Sequence, residues 1–139
     1  MNDEPKVRLL VVDDEVDNLD TFRRVFRKEF VISCASSGAE ALALLRRQPF
    51  DLAFVDHAMA DVSGVELLRL AARIQPAMVR LMITAHDGLA VVREARAEGV
   101  VAAVIPKPWQ REQVLRAVAT FQSLARMRAS VERLRDRSG

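Results

Sequence analysis

Residues 7–15 read Val7-Arg8-Leu9-Leu10-Val11-Val12-Asp13-Asp14-Glu15, a short apolar run that ends abruptly in three acids. A run this short and this rich in Val and Leu has the signature of a strand buried on both faces of a parallel sheet. Four similar runs follow, at residues 30–35, 52–55, 79–83 and 100–105. The second contains Ser33 and Cys34 and therefore suits a sheet edge.

Amphipathic stretches separate the runs. Leu19, Phe22, Val25 and Phe26 form one apolar stripe, with Arg23, Arg24, Arg27 and Lys28 opposite. A second helix starts at Gly38, carries Ala41, Leu42 and Leu45, and is closed by Pro49. Val65, Leu67, Leu68, Leu70 and Ala71 mark a third, stopped before Pro76. A fourth carries Leu89, Val92 and Ala95 and ends at Gly99. The alternation predicts a three-layer α/β domain with a five-stranded parallel sheet and right-handed crossovers. No internal repeat interrupts it.

The fifth helix is expected to begin after Pro108-Trp109, finish the domain near Phe121 and continue to about Asp136. This divides the chain into a domain over 1–122 and a helical extension or linker over 123–139. In the extension Leu124, Met127, Val131 and Leu134 are spaced 3-4-3, the seam of a two-heptad coiled coil. Two heptads are too few to be stable alone. Both a charged, fraying helix end and the start of a linker or dimer stalk fit this pattern.

The chain of 139 residues is half hydrophobic, enough for one domain with a real core. No apolar run approaches the roughly 20 residues of a membrane helix, and the polar start, Met1-Asn2-Asp3-Glu4, is unlike a secretory signal. Cys34 is the only cysteine, which fits a reducing, cytoplasmic setting. Residues 1–122 hold 16 Lys/Arg against 17 Asp/Glu, whereas residues 123–139 hold five Arg against two acids. The basic character lies in the tail, on what reads as a solvated helix face, and does not point to nucleic-acid binding.

In an open parallel sheet, ligands bind outside the carboxyl ends of the strands. Asp13 and Asp14 follow the first strand, Asp56 the third, Thr84 the fourth and Lys107 the fifth. Three carboxylates, a hydroxyl and an ammonium are thus predicted at one edge. Clustered carboxylates repel unless a cation neutralises them, and oxygen ligands suit Mg²⁺. A carboxylate can also be a nucleophile towards phosphorus, and phosphoryl transfer needs mainly positioning and charge cancellation. Taken singly, Asp13 and Asp14 could be helix caps and Lys107 a salt-bridge partner. Five such residues at four strand ends are better explained together.

The segments Leu9-Leu10-Val11-Val12-Asp13-Asp14-Glu15, Asp51-Leu52-Ala53-Phe54-Val55-Asp56, Ile83-Thr84-Ala85 and Lys107-Pro108-Trp109 resemble the four signatures of response-regulator receiver domains. The match runs from about Val7 to Phe121, in order and with the family's spacing. The resemblance implies a flavodoxin-like fold with strand order 2-1-3-4-5. It also implies phosphorylation of Asp56 by a histidine kinase or phosphotransfer protein. Asp14, Asp56 and the carbonyl of Ala58 would ligate Mg²⁺ directly, and Asp13 through water. Thr84 and Lys107 would hold the phosphoryl oxygens, Ala85 would leave room for the donor, and the Lys107–Pro108 bond would be cis.

Some positions depart from that pattern. Ala60 stands where the family usually has Pro, which predicts a looser loop. Val104 stands where the family often has an aromatic whose inward swing relays the phosphorylated state, so either the signal runs through Thr84 and the loop before the fourth helix or the coupling is weak. Ala58 and His86 occupy the two positions that tune hydrolysis; Ala58 cannot orient water, which predicts a long-lived phospho-form unless the His86 imidazole acts there. His57 reads as structural or solvent-facing. Trp109 is expected to open the last helix beside the face of the fourth and fifth helices, where many receivers dimerise or meet targets, or to be a partly buried anchor with no signalling role.

Three competing readings remain. A dinucleotide enzyme needs a Gly-rich turn after the first strand, and Asp13-Asp14-Glu15 contains no glycine. A haloacid-dehalogenase-type phosphatase needs a second Asp two residues after the first, where Glu15 stands. A degenerate receiver that binds partners without phosphorylation is opposed by five intact site residues. The expected output is a switch in partner binding or dimerisation through the fourth and fifth helices and the extension. The chain would be a non-enzymatic regulator, either free-standing or the input of a longer protein.

Overall fold

The computed structural model describes residues 5–85 and 89–138. Five strands alternate with five helices: β1 (Arg8–Val12), α1 (Val16–Phe26), β2 (Val31–Ala35), α2 (Gly38–Arg47), β3 (Leu52–Asp56), α3 (Gly64–Ile74), β4 (Val79–Thr84), α4 (Ala90–Ala97), β5 (Ala103–Pro106) and α5 (Arg111–Ser138). All strand pairings are parallel, and the order across the sheet is β2-β1-β3-β4-β5. The expected flavodoxin-like topology is therefore present, with β2 at an edge.

The period of two along each strand divides the core into two layers. Leu10, Val12, Ala53, Val55 and Met82 pack against α2, α3 and α4 through Ala41, Leu45, Leu67, Leu68, Val92 and Ala95. Leu9, Val11, Leu52, Phe54, Leu81 and Ile83 face the other way, onto Leu19, Phe22 and Phe26 of α1 and Val114 and Val118 of α5. Each large apolar side chain buried in this way contributes about 1.5–3 kcal/mol. Every residue of β3 and β4 is buried, as central strands covered on both faces must be.

Local sequence explains where the helices start. Ser37 and Ser63 are the N-caps of α2 and α3: Ser37 accepts from the Glu40 amide at 3.1 Å and Ser63 from the Glu66 amide at 3.2 Å. Asp61, in the loop before α3, also accepts from the amides of Gly38 and Ala39 at 3.2 and 3.3 Å. These donors at the start of α2 hold its carboxyl below the usual carboxylate range. Gly99 ends the α4 region at φ 80°, a conformation that favours glycine.

Two expectations are corrected. The fifth strand begins at Ala103 and not at residue 100. Val100 lies in the turn after α4, where its carbonyl accepts from Arg80 Nε at 2.9 Å. The buried Arg80 guanidinium also donates to the carbonyls of Met78 and Gly99, so peptide groups that a longer strand would pair are satisfied from a side chain. Burial lowers its pKa, and the nearby charge of Arg128 adds to this. Trp109 does not turn to the α4 side of the sheet and lies on the side covered by α1 and α5. It packs against Phe22 and Phe26 of α1, with ring centroids 5.5 and 5.4 Å apart.

Helix α5 runs 28 residues without a break. Beyond Phe121 its Ala125 is buried in the core, and Arg126 donates to the carbonyl of Pro5 at 3.0 Å. Met127, Val131 and Leu134 point elsewhere and are 59%, 44% and 62% exposed. The distal helix thus passes the amino end of the sheet, where Lys6, Arg8, Arg126 and Arg133 line one shallow cavity. Among the described residues no helix is long and apolar enough to cross a membrane.

Candidate functional site

Parallel strands deliver their carboxyl ends to one edge, and the register fixes which side chains meet there. Val12 of β1 lies beside Val55 of β3, so Asp13 and Asp56 emerge as neighbours. Asp56 lies beside Ile83 of β4, which puts Thr84 one residue further on. The amide of Lys107 donates to the Thr84 carbonyl at 3.0 Å, fixing the start of the β5–α5 loop at the same edge. The Lys107–Pro108 peptide bond is cis.

Asp13, Asp56 and Thr84 are buried, whereas Asp14 is exposed. Each of the three carboxylates offers an oxygen within 4.8 Å of the others. Lys107 Nζ reaches two of them, 3.2 Å from Asp13 Oδ2 and 3.4 Å from Asp56 Oδ1. Asp13 is held further by the Glu15 amide at 2.9 Å and by Asn18 Nδ2 at 3.1 Å. It is therefore not the cap of α1; that position belongs to Glu15, whose side chain makes no cap bond. Asp14 Oδ2 accepts from the Ala60 amide at 3.1 Å.

The electrostatics follow from crowding. Burial raises the pKa of Asp56; the Lys107 charge opposes the rise and the Asp13 charge adds to it. A bond from the Ala58 amide favours the ionised form but does not reverse the balance. Burial pulls the Lys107 ammonium down, yet the hydrogen bonds and charges of Asp13 and Asp56 leave its pKa raised. Three carboxylates face one ammonium among the described residues. An all-oxygen donor set with surplus negative charge fits a hard divalent cation such as Mg²⁺.

The arrangement brings together Asp13, Asp14, Asp56 and Lys107 and sets Thr84 at the same edge. Ala58 lies in the exposed loop after β3, beside Asp56. His57 is half-buried, with Nδ1 unbonded among the described residues. His86 lies outside the described residues. Sequence reasoning missed Asn18, which bonds Asp13 and Glu15 from the first turn of α1. An amide-bearing side chain five residues after an acidic strand end was the available signal. It also missed the Ala60 amide, for which no side chain could speak.

A groove of about 740 Å³ opens beside the site, lined by Glu15, Asn18, Thr21, Val25, Lys107 and Trp109 among others. Trp109 also lines the small space shared by Asp13, Asp56 and Lys107.

The description "Response regulator receiver domain" matches residues 9–119 of this chain. The alginate biosynthesis transcriptional regulatory protein AlgB of Pseudomonas aeruginosa is 34% identical over 96% of this chain but only 30% of its own length. The chain spans under a third of that relative and of the hydrogenase transcriptional regulatory proteins HoxA that it also matches. A crystal structure described as adenylate cyclase from Rhodopirellula baltica is 32% identical with a TM-score of 0.88, covering 95% of this chain and 98% of that one. A CheY-like response regulator receiver domain protein from Methanospirillum hungatei is 26% identical with a TM-score of 0.82, covering 88% and 98%. The acidic edge, the strand order and these likenesses agree, and the chain belongs to the response regulator receiver domain family.

Proposed function

We propose that this receiver accepts a phosphoryl group on Asp56 from a histidine kinase or phosphotransfer protein, with Mg²⁺ held by Asp14, Asp56 and the Ala58 carbonyl, and by Asp13 through water. The observation that carries this reading is Lys107 Nζ, placed 3.2 Å from Asp13 and 3.4 Å from Asp56 beside a third carboxylate. Bound Mg²⁺ would supply the positive charge that the carboxylates and an incoming phosphoryl group both require. An Asp56 carboxylate oxygen attacks phosphorus, the donor's P–N bond breaks, and the imidazole leaves with the electron pair. An acyl phosphate remains on Asp56. Lys107 and the Thr84 hydroxyl hold phosphoryl oxygens, and Ala85 keeps the approach open.

The reaction changes this chain and does not turn over, so its role is that of a signalling module in the cytoplasm. The adenylate cyclase activity named for the Rhodopirellula protein stays with that protein. The output is a change in partner binding or self-association. The exposed stripe of Met127, Val131 and Leu134, on the side of α5 away from buried Ala125, supports a homodimer contact built from residues 123–139. Val104 offers no ring to move, so Thr84 and the segment before α4 carry the switch. Ala58, with no polar group, gives the phospho-form a long life.

The test is intact-mass spectrometry after incubation with Mg²⁺ and acetyl phosphate or phosphoramidate, beside an Asp56→Ala control. The expected result is a phosphate-sized gain that needs Mg²⁺ and is absent from the control. No gain with small donors or with a panel of phosphorylated histidine kinases would leave a phosphorylation-independent interaction module. Decay of the adduct within seconds would reject the role given to Ala58.

A further inference from the structure

Asp14 is the exposed member of the acidic triad, and Lys107 pairs with the other two. Asp13 is fixed by Glu15, Asn18 and Lys107, and Asp56 by burial, Lys107 and the Ala58 amide. A solvated aspartate beside two like charges would be expected to rotate away from them. Its bond to the Ala60 amide opposes that rotation, at 3.1 Å across 46 residues of sequence.

The donor is itself held in place. The loop between β3 and α3 is tied at one end by the Gly64 amide, which donates to the His57 carbonyl at 3.0 Å. Gly64 packs so tightly there that a Cβ would lie 2.5 Å from the Asp56 carbonyl oxygen. Asp61, one residue after Ala60, is anchored to the amides of Gly38 and Ala39. Ala60 therefore presents its N–H from a loop fastened on both sides. A proline at this position has no N–H to offer.

We propose that the Ala60 backbone amide is a positioning group for Asp14, preorganising it for a divalent cation, so that residue 60 sets metal affinity through its N–H and not through its side chain. This rests on the Mg²⁺-dependent receiver reading above. A charge-assisted hydrogen bond preorganises a ligand at no cost when the metal arrives, and its loss is felt as weaker binding.

Mg²⁺ titration of the full chain, followed by Trp109 fluorescence, tests this with two substitutions. Ala60→Gly keeps the amide and should leave the dissociation constant within about twofold of wild type. Ala60→Pro removes the amide and should weaken binding by about fivefold. In an Asp14→Ala background Ala60→Pro should have no further effect, because its partner is gone. Equal affinity of Ala60→Pro and wild type would overturn the proposal while leaving the receiver reading intact. Equal weakening by Gly and Pro would also overturn it, since loop stiffness and not the donor would then be responsible. A wild-type chain with no Mg²⁺ response would overturn the Mg²⁺-dependent phosphoacceptor reading on which the proposal rests. Should Ala60→Pro fail to fold, the Ala60 amide resonance decides: a shift and exchange rate unchanged between wild type and Asp14→Ala would reject the bond.

Discussion

At Asp56 burial and charge pull in opposite directions, and burial with the Asp13 charge prevails. A carboxyl whose pKa is raised on folding binds more protons in the folded than in the unfolded state, so stability falls as pH rises through the interval between the two values. At neutral pH the ionised site is therefore a cost to the fold. Asp56→Asn should raise the melting temperature by a few degrees at neutral pH without Mg²⁺. The advantage should shrink as pH is lowered through the range where Asp56 protonates. Calorimetry at several pH values checks this, and a pH-independent difference would contradict it. Lys107→Ala should act in the opposite sense, costing about 3 kcal/mol, the low end for a broken buried pair because the ammonium is partly exposed, by leaving two buried carboxylates without their cation; denaturant titration reads that loss directly. The residues in these statements were legible in the sequence because each follows an apolar run, and strand ends share an edge by construction. Asn18 and Ala60 were not. One acts from a helix turn and the other through a peptide group, and neither leaves a trace in hydrophobic periodicity. The side chosen by Trp109 was equally hidden. Its neighbours Phe22 and Phe26 are distant in sequence, and nothing local to Lys107-Pro108-Trp109 says which face of the sheet the loop will turn to.

At the scale of elements, the helix starts at Gly38 and Gly64 look alike in sequence but are not equivalent in space. A Cβ on Gly64 would meet backbone, 2.5 Å from the Asp56 carbonyl oxygen and 2.9 Å from the His57 Cα. A Cβ on Gly38 would meet a side chain and not backbone, Val62 Cγ1 at 2.3 Å, which can yield only by shifting a stiff β-branched residue packed at the edge of the core. Gly64→Ala should therefore cost about 2–3 kcal/mol, clearly more than Gly38→Ala. Urea denaturation of both variants makes the comparison, and equal costs would mean that the backbone after β3 yields as easily as a valine methyl. The same scale accounts for the misread start of β5. Residues 100–102 are as apolar as a strand, but Arg80 takes the Val100 carbonyl, and a side chain twenty residues earlier in the sequence cannot be seen in a local run. Strand order, by contrast, came through the resemblance, and the alternation of runs and stripes carried the layers.

For the whole molecule, the boundary drawn at residue 122 meets a helix that continues through it. Removing residues 123–139 takes Ala125 and Leu124 from the edge of the core layer under α1 and α5, together with the Arg126–Pro5 bond, and leaves the sheet and the opposite layer untouched. The shortened chain should fold, lose about 1–2 kcal/mol, and still accept a phosphoryl group on Asp56. Denaturation and intact mass on the truncated chain measure both, and failure to fold would make the extension an integral part of the domain. The arrangement of charge has a further consequence. Asp13, Asp14 and Asp56 gather at the carboxyl end of the strands, while Lys6, Arg8, Arg126 and Arg133 line a cavity at the amino end in which Asp51 is the acid among the described residues. Between these two groups charge is separated along the sheet, with an acidic pole at the reactive edge and a moment between the two ends. In the field of an approaching partner it would turn before it touched: a cationic surface would draw the acidic pole forward, an anionic one the arginine pole. Loading the acidic pole with a metal ion would shrink that moment, so the preferred heading of the molecule in solution would itself depend on the state of the site.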